Sequence, residues 1–134
     1  MYRGVPVERL AGAAPFEEVA YLLLTGSRAA VRALEHDRSG FDAFAARLRS
    51  SRVLPADVIE LVRSIDPSVH PTRVLRAGVS ALGCHELSVD DDLSGERHWN
   101  ELRIVGQVAA LVAEIGRHRR GLASVRPDSG RSLA

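Results

Sequence analysis

Five histidines, one cysteine and a short basic run are the residues with chemical potential in this chain of 134 residues. His36, His70, His85, His98 and His118 are scattered, and no two of them make a His-x-x-x-His pair of the kind that grips zinc from one helix face. His85 and His98 flank Asp90-Asp91-Asp92, a set of oxygen and nitrogen donors conceivable as a metal site. The acidic run lacks the alternate spacing and central glycine of a calcium loop, so it reads as solvated charge. His70, placed just before Pro71, reads as a helix cap or packing residue. Cys84 is the single thiol, so it has no intrachain disulfide partner. It is either a reactive group or, as expected here, a small buried hydrophobe on a helix. Arg117-His118-Arg119-Arg120 is the one dense basic cluster. Arg117, Arg119 and Arg120 are candidates for holding an anion, and the competing reading is a charged helix end that complements the dipole.

The elements that would position these groups are nearly all helices. Pro15 suits the first position of one, with Glu17 and Glu18 at its positive end. Phe16, Val19, Ala20 and Leu23 then recur on a helical period and predict one apolar face, with Gly26 as a stop. Ser27 is a candidate cap for a second helix carrying Val31 and Leu34. Phe41, Phe44, Ala45 and Leu48 restart the period, and Leu54-Pro55 opens a helix with Val58, Leu61, Val62 and Ile65 on one side. His70-Pro71 opens the next, ending near Gly83. The last helix is expected from about Glu96 to Arg120 and is apolar around most of its girth, with only Arg103, Gln107 and Glu114 as a narrow polar strip. Such a helix belongs in an interior or between subunits. Small residues that permit close helix approach stand at Ala77, Gly78 and Ala81 on one helix and at Gly106, Ala109 and Ala113 on the other. They serve either this domain's own core or a dimer interface.

Bulk properties narrow the classes. The apolar share is 46% and the charged share 26%, ordinary for a soluble globular chain, and net charge is +1. That balance offers no global field for nucleic acid or an anionic membrane. A helix-turn-helix over Val58–Ile65 and Thr72–Leu82 would present only Arg73 and Arg76 to a groove. No apolar run reaches the ~20 residues that cross a bilayer. One cysteine and no secretory segment point to the cytoplasm. Residues 1–121 are expected to form one helical portion and 122–134, rich in Ser, Gly, Arg and Pro, a flexible tail.

Taken in order, several segments resemble the citrate synthase family. Tyr2-Arg3-Gly4-Val5-Pro6-Val7-Glu8-Arg9-Leu10 is similar to the family's strand-to-helix opening, and Phe16-Glu17-Glu18-Val19-Ala20-Tyr21-Leu22-Leu23-Leu24-Thr25-Gly26 matches a family run almost residue for residue. Arg52-Val53-Leu54-Pro55, His70-Pro71 through Gly83, and Ile115-Gly116-Arg117-His118-Arg119-Arg120-Gly121 resemble its Leu-Pro, His-Pro-Met and Tyr-Arg-His-Arg-Arg-Gly segments. Thr72 stands in place of Met, Gly116 in place of Tyr, and Gln107-Val108-Ala109 in place of Lys-Leu-Pro, so the last helix is expected to run straighter than in the family.

The resemblance implies an all-α fold of five or six helices, the N-terminal part of the family's large helical domain. It implies that the Pro71–Gly83 and Glu96–Arg120 helices belong to an antiparallel dimer interface. The family condenses acetyl-CoA, or a related acyl-CoA, with oxaloacetate to citrate. For this it uses an acid–base carboxylate, histidines that stabilise the enol and polarise the keto group, and arginines that grip carboxylates. These lie in a His-Gly-Gly-Ala-type motif, a Gly-His-Arg-type motif and a later Asp. None of the three occurs in these 134 residues, so no catalytic residue is assigned, and no motif calls for a cofactor or metal. The expectation is a truncated or split synthase, inactive alone. It would work as a homodimer or with a partner carrying the catalytic half, and acyl-CoA and oxaloacetate would bind only in a complete assembly. A non-catalytic module that binds itself or an intact synthase is the alternative.

Overall fold

The computed structural model describes residues 1–25, 39–85, 97–128 and 130–131, with only the backbone for 97–101. The described residues form six helices and an isolated antiparallel bridge between Tyr2 and Val5. The helices are α1 (Val7–Leu10), α2 (Phe16–Thr25), α3 (Ser39–Ser50), α4 (Ala56–Ser64), α5 (Pro71–Gly83) and α6 (Arg97–His118). The fold is all-α, as expected. Among the described residues no helix is long and apolar enough to cross a membrane. The expected helix over Ser27–Leu34 lies outside the described residues.

The chain divides into two compact units, Met1–Arg49 with Ser129–Ala134, and Ser50–Asp128. The first opens on a tight turn. Tyr2 and Val5 exchange backbone hydrogen bonds of 2.8 and 2.9 Å, which forces positive φ at Arg3 (48°) and Gly4 (87°). Glycine takes that conformation freely, whereas for an arginine it costs roughly 1–2 kcal/mol. The Arg3 side chain offsets part of this cost. Its Nε and Nη2 donate to the Leu23 carbonyl at 3.3 and 3.1 Å, in the last turn of α2 where carbonyls lack helical partners. The short helix α1 follows. It is too brief to leave an apolar period, and falls at the end of the segment that resembles the family's strand-to-helix opening.

In α2 the buried residues are Glu17 and Leu22, while Phe16 and Leu23 are exposed. This corrects the expected face. From Val19 to Leu24 the helix is apolar all round, so periodicity there does not select a side. Tyr21 chooses it, meeting Phe41 and Phe44 of α3 edge-on with ring centres 5.8 and 5.0 Å apart, the arrangement aromatic quadrupoles favour. In α3 the buried residues are Phe41, Phe44, Ala45 and Leu48, as their period predicts.

The second unit is built on α4, α5 and α6, each in contact with the other two. Pro55 precedes α4, and Pro71 opens α5 where a missing N–H costs nothing. His70 caps α5, its Nδ1 accepting from the Thr72 amide at 3.3 Å. Val58, Val62, Val74, Leu82, Leu111 and Ile115 form the core, with Leu54, Ile65, Val69, Leu75 and Ala81 packed against it. Gly78 sets how closely α5 and α6 approach. A Cβ there would lie 2.7 and 2.8 Å from the two methyls of Leu111, a fully buried side chain. The approach therefore requires glycine.

Candidate functional site

The groups with unusual placement concentrate on α6 and its C-terminal end. The helix runs unbroken for 22 residues, but its orientation inverts the simple reading of its surface. Gln107 and Glu114, two members of the polar strip, are each only 5% exposed. Val112, by contrast, is 51% exposed, and Ala113 and Gly116 are also open. Polar groups point inward because they have work there. Glu114 Oε1 accepts from Arg63 Nε at 2.7 Å and from the Ser124 hydroxyl at 2.8 Å. Arg63 Nη2 donates to the Leu122 carbonyl at 3.0 Å, and Arg52 Nη2 to that of Asp128 at 3.1 Å. Gln107 Nε2 donates to the Val53 carbonyl at 3.3 Å, and the buried Ser51 hydroxyl to that of Leu102 at 3.3 Å.

The basic run at the end of α6 is largely occupied with backbone carbonyls. His118 Nε2–H donates to Ile65 O at 2.8 Å, and Arg119 Nη1 donates to Pro67 O and Val69 O at 2.7 and 2.6 Å. Arg117 Nε donates to Ala123 O at 2.6 Å. Together His118 and Arg119 clamp the α4–α5 connection onto the end of α6. Arg120 is exposed.

The six small residues singled out for an interface are dispersed. Gly78 is buried against Leu111, Gly106 is buried, and Ala81 packs on the core. Ala77 and Ala109 are half-buried and Ala113 is exposed. Val79 of α5, at 37%, and Val112 are also exposed apolar side chains.

Cys84 is exposed rather than buried, at the C-cap of α5 with Sγ 3.8 Å from the Ser80 carbonyl. The core face of α5 is spent on Val74, Gly78 and Leu82, which leaves residue 84 off that face. His85 does not face a metal set among the described residues. Its Nε2 lies 2.9 Å from Asp57 Oδ2. That hydrogen bond is the main reason the exposed Asp57 carboxyl is held below its ordinary pKa. The Asp66 carboxyl is likewise lowered, first by the Ser68 side chain and then by the Ser68 amide, which donates to Oδ1 at 2.7 Å. His98 and Asp90–Asp92 cannot be placed in any site, because the side chain of His98 and residues 90–92 lie outside the described residues.

An all-helical chain with this element order and this helix end has a known class. Residues 1–134 match the family model described as citrate synthase, C-terminal domain, and the chain belongs to the citrate synthase family. It is 34% identical over 128 residues to a citrate synthase of Mycolicibacterium smegmatis, a match covering 96% of this chain and 32% of that protein. It is 32% identical over 133 residues to a 2-methylcitrate synthase of Mycobacterium tuberculosis, covering 99% of this chain and 32% of that one. The crystal structure of citrate synthase from Pyrobaculum aerophilum superposes with a TM-score of 0.72 at 29% identity, covering 99% of this chain and 34% of that one. The chain thus spans about a third of the length of the relatives it matches.

Proposed function

We infer that this chain supplies helical scaffold to a citrate synthase-type enzyme that joins acetyl-CoA or a related acyl-CoA to oxaloacetate. Its α5 and α6 would meet another copy or a complementary chain. The observation that carries this is the setting of α6, where Val112 is half-exposed while Gln107 and Glu114 are buried. A helix facing water on that side would be expected to turn its glutamate out and its valine in. Val79 on α5 and Val112 and Ala113 on α6 expose apolar side chains that a second helical face would cover. The condensation itself needs a base and electrophilic donors aimed at the enol oxygen, and the family motifs that hold them are not among these 134 residues.

Sedimentation of the pure chain tests the interface. Self-association is expected, weakened by Val112→Asp without loss of helix content. A monomer at all concentrations that also fails to associate with a polypeptide carrying the two histidine motifs and the Asp would defeat the reading. Assay of acyl-CoA and oxaloacetate condensation should find no turnover with this chain alone and turnover once that polypeptide is added.

A further inference from the structure

Arg103 and Gln107 stand one turn apart on the same face of α6. Nε and Nη2 of Arg103 and Oε1 of Gln107 are shut off from solvent and have no hydrogen-bond partner among the described residues. The two arginine atoms are not an arbitrary pair. Nε and Nη2 lie on one edge of the planar guanidinium, and their N–H bonds project in parallel, the fork that matches the two oxygens of a carboxylate. A guanidinium edge closed off from water and left empty is costly, and native chains pair such groups. At the positions one turn away, the helix offers no carboxylate. The positions three and four residues either side of Arg103 are Trp99, Asn100, Gly106 and Gln107, none acidic. Glu114 is eleven residues on, about 16 Å along the axis, and is already engaged by Arg63 and Ser124. The Gln107 amide is oriented by its bond to the Val53 carbonyl, which leaves Oε1 as a bare acceptor.

We propose that this edge of Arg103, with Gln107 Oε1 one turn along the same face of α6, is a binding site for a carboxylate that carries a hydrogen-bond donor next to it. A small hydroxy acid has that chemistry. So does an aspartate side chain of a second polypeptide, whose own backbone N–H is the donor. The present cover over the three atoms must move for either to enter, so binding is coupled to a local opening. The site does not depend on the synthase reading, since neither condensation nor pairing of α5 and α6 enters it.

The test is proton–nitrogen NMR of the full chain tuned to arginine Nε–H groups, titrated with L-malate and, separately, with N-acetyl-aspartate N-methylamide. A saturable downfield shift of the Arg103 Nε–H signal is expected with at least one probe. Tighter binding of malate identifies a free acid as the occupant, and tighter binding of the aspartate mimic identifies a protein side chain. Arg103→Lys keeps the charge and loses the fork, and should weaken binding about tenfold with an unchanged helical circular dichroism spectrum. Gln107→Glu places a carboxylate one turn from Arg103. It should fill the fork from within, weaken binding at least as much, and carry the test by itself where Arg103→Lys does not fold. No saturable shift with either probe, or equal affinity in these variants, overturns the proposal. So does a change of the Arg103 signal in the probe-free chain on Asp90→Asn/Asp91→Asn/Asp92→Asn, which would mean the carboxylate is the chain's own.

Discussion

Replacing Gly78 by alanine is the sharpest probe of how α5 and α6 are held. On helix propensity alone the change should stabilise α5 by about 1 kcal/mol. The packing acts the other way. The new Cβ would meet Leu111 Cδ2 and Cδ1 at 2.7 and 2.8 Å and Cγ at 3.2 Å. Carbon atoms prefer roughly 3.5–4.0 Å, so Leu111 must retreat by nearly an ångström. It has nowhere to go, being fully buried in the same cluster as Val58, Val62, Val74, Leu82 and Ile115. Overpacking of this kind costs about 1–3 kcal/mol, which outweighs the propensity gain at most of that range. The expected net loss is roughly 1 kcal/mol, a fall in midpoint of about 4–8 °C for a unit of this size. Urea unfolding of the full chain, followed by circular dichroism, measures it. Leu111→Ala alone should cost about 2–5 kcal/mol through its cavity, but in combination with Gly78→Ala the loss should be smaller than the sum, because the new methyl occupies part of the space. Gly116 provides the contrast. A Cβ there meets nothing within 4 Å, so Gly116→Ala should stabilise by up to about 1 kcal/mol. A Gly78→Ala chain as stable as the parent, or strictly additive double-variant energies, would refute the close-approach account.

Three further outcomes follow from the same geometry. Glu114→Ala removes the acceptor shared by Arg63 and Ser124 and should destabilise by about 1–3 kcal/mol, read by the same unfolding assay, with faster hydrogen exchange around Leu122. Asp57, whose folded pKa is lowered chiefly by His85, stabilises the fold above its unfolded pKa, and that contribution is lost as pH falls through the lower folded value. Asp57→Asn should therefore flatten the acid limb of the stability profile between about pH 5 and 3; an unchanged limb would remove the pair from the account. Arg119→Gln should release the Pro67 and Val69 carbonyls and raise amide exchange in residues 66–70 without altering the core of α4.

The starts of α4 and α5 were legible in the sequence because prolines mark them. Pro55 and Pro71 each stand at the beginning of a helix, and His70 caps as its position suggests. Phe41, Phe44, Ala45 and Leu48 predicted their own burial, since α3 has polar residues between them. The rotation of α2 and α6 was not legible. Where a helix is apolar nearly all round, period alone names no inner face, and the choice falls to distant partners such as Phe44 for Tyr21 or Arg63 for Glu114. The clamp made by His118 and Arg119 was hidden for a similar reason. Its acceptors are backbone carbonyls some fifty residues away, and a carbonyl has no letter in a sequence. The unmet atoms of Arg103 could have been suspected from a charge set within an apolar helix that has no acidic residue a turn away.

Two of the inward polar bonds of α6 also set its rotation. Gln107 is tied to Val53 and Glu114 to Arg63, anchorages seven residues and about 10 Å apart along one axis. An apolar cylinder alone could turn or slide in its socket with little loss of burial. Advancing by a single residue would swing each anchor through roughly 100° and break both bonds at once. The helix is thereby keyed, like a shaft with two splines, so it always presents Val112 on the same side.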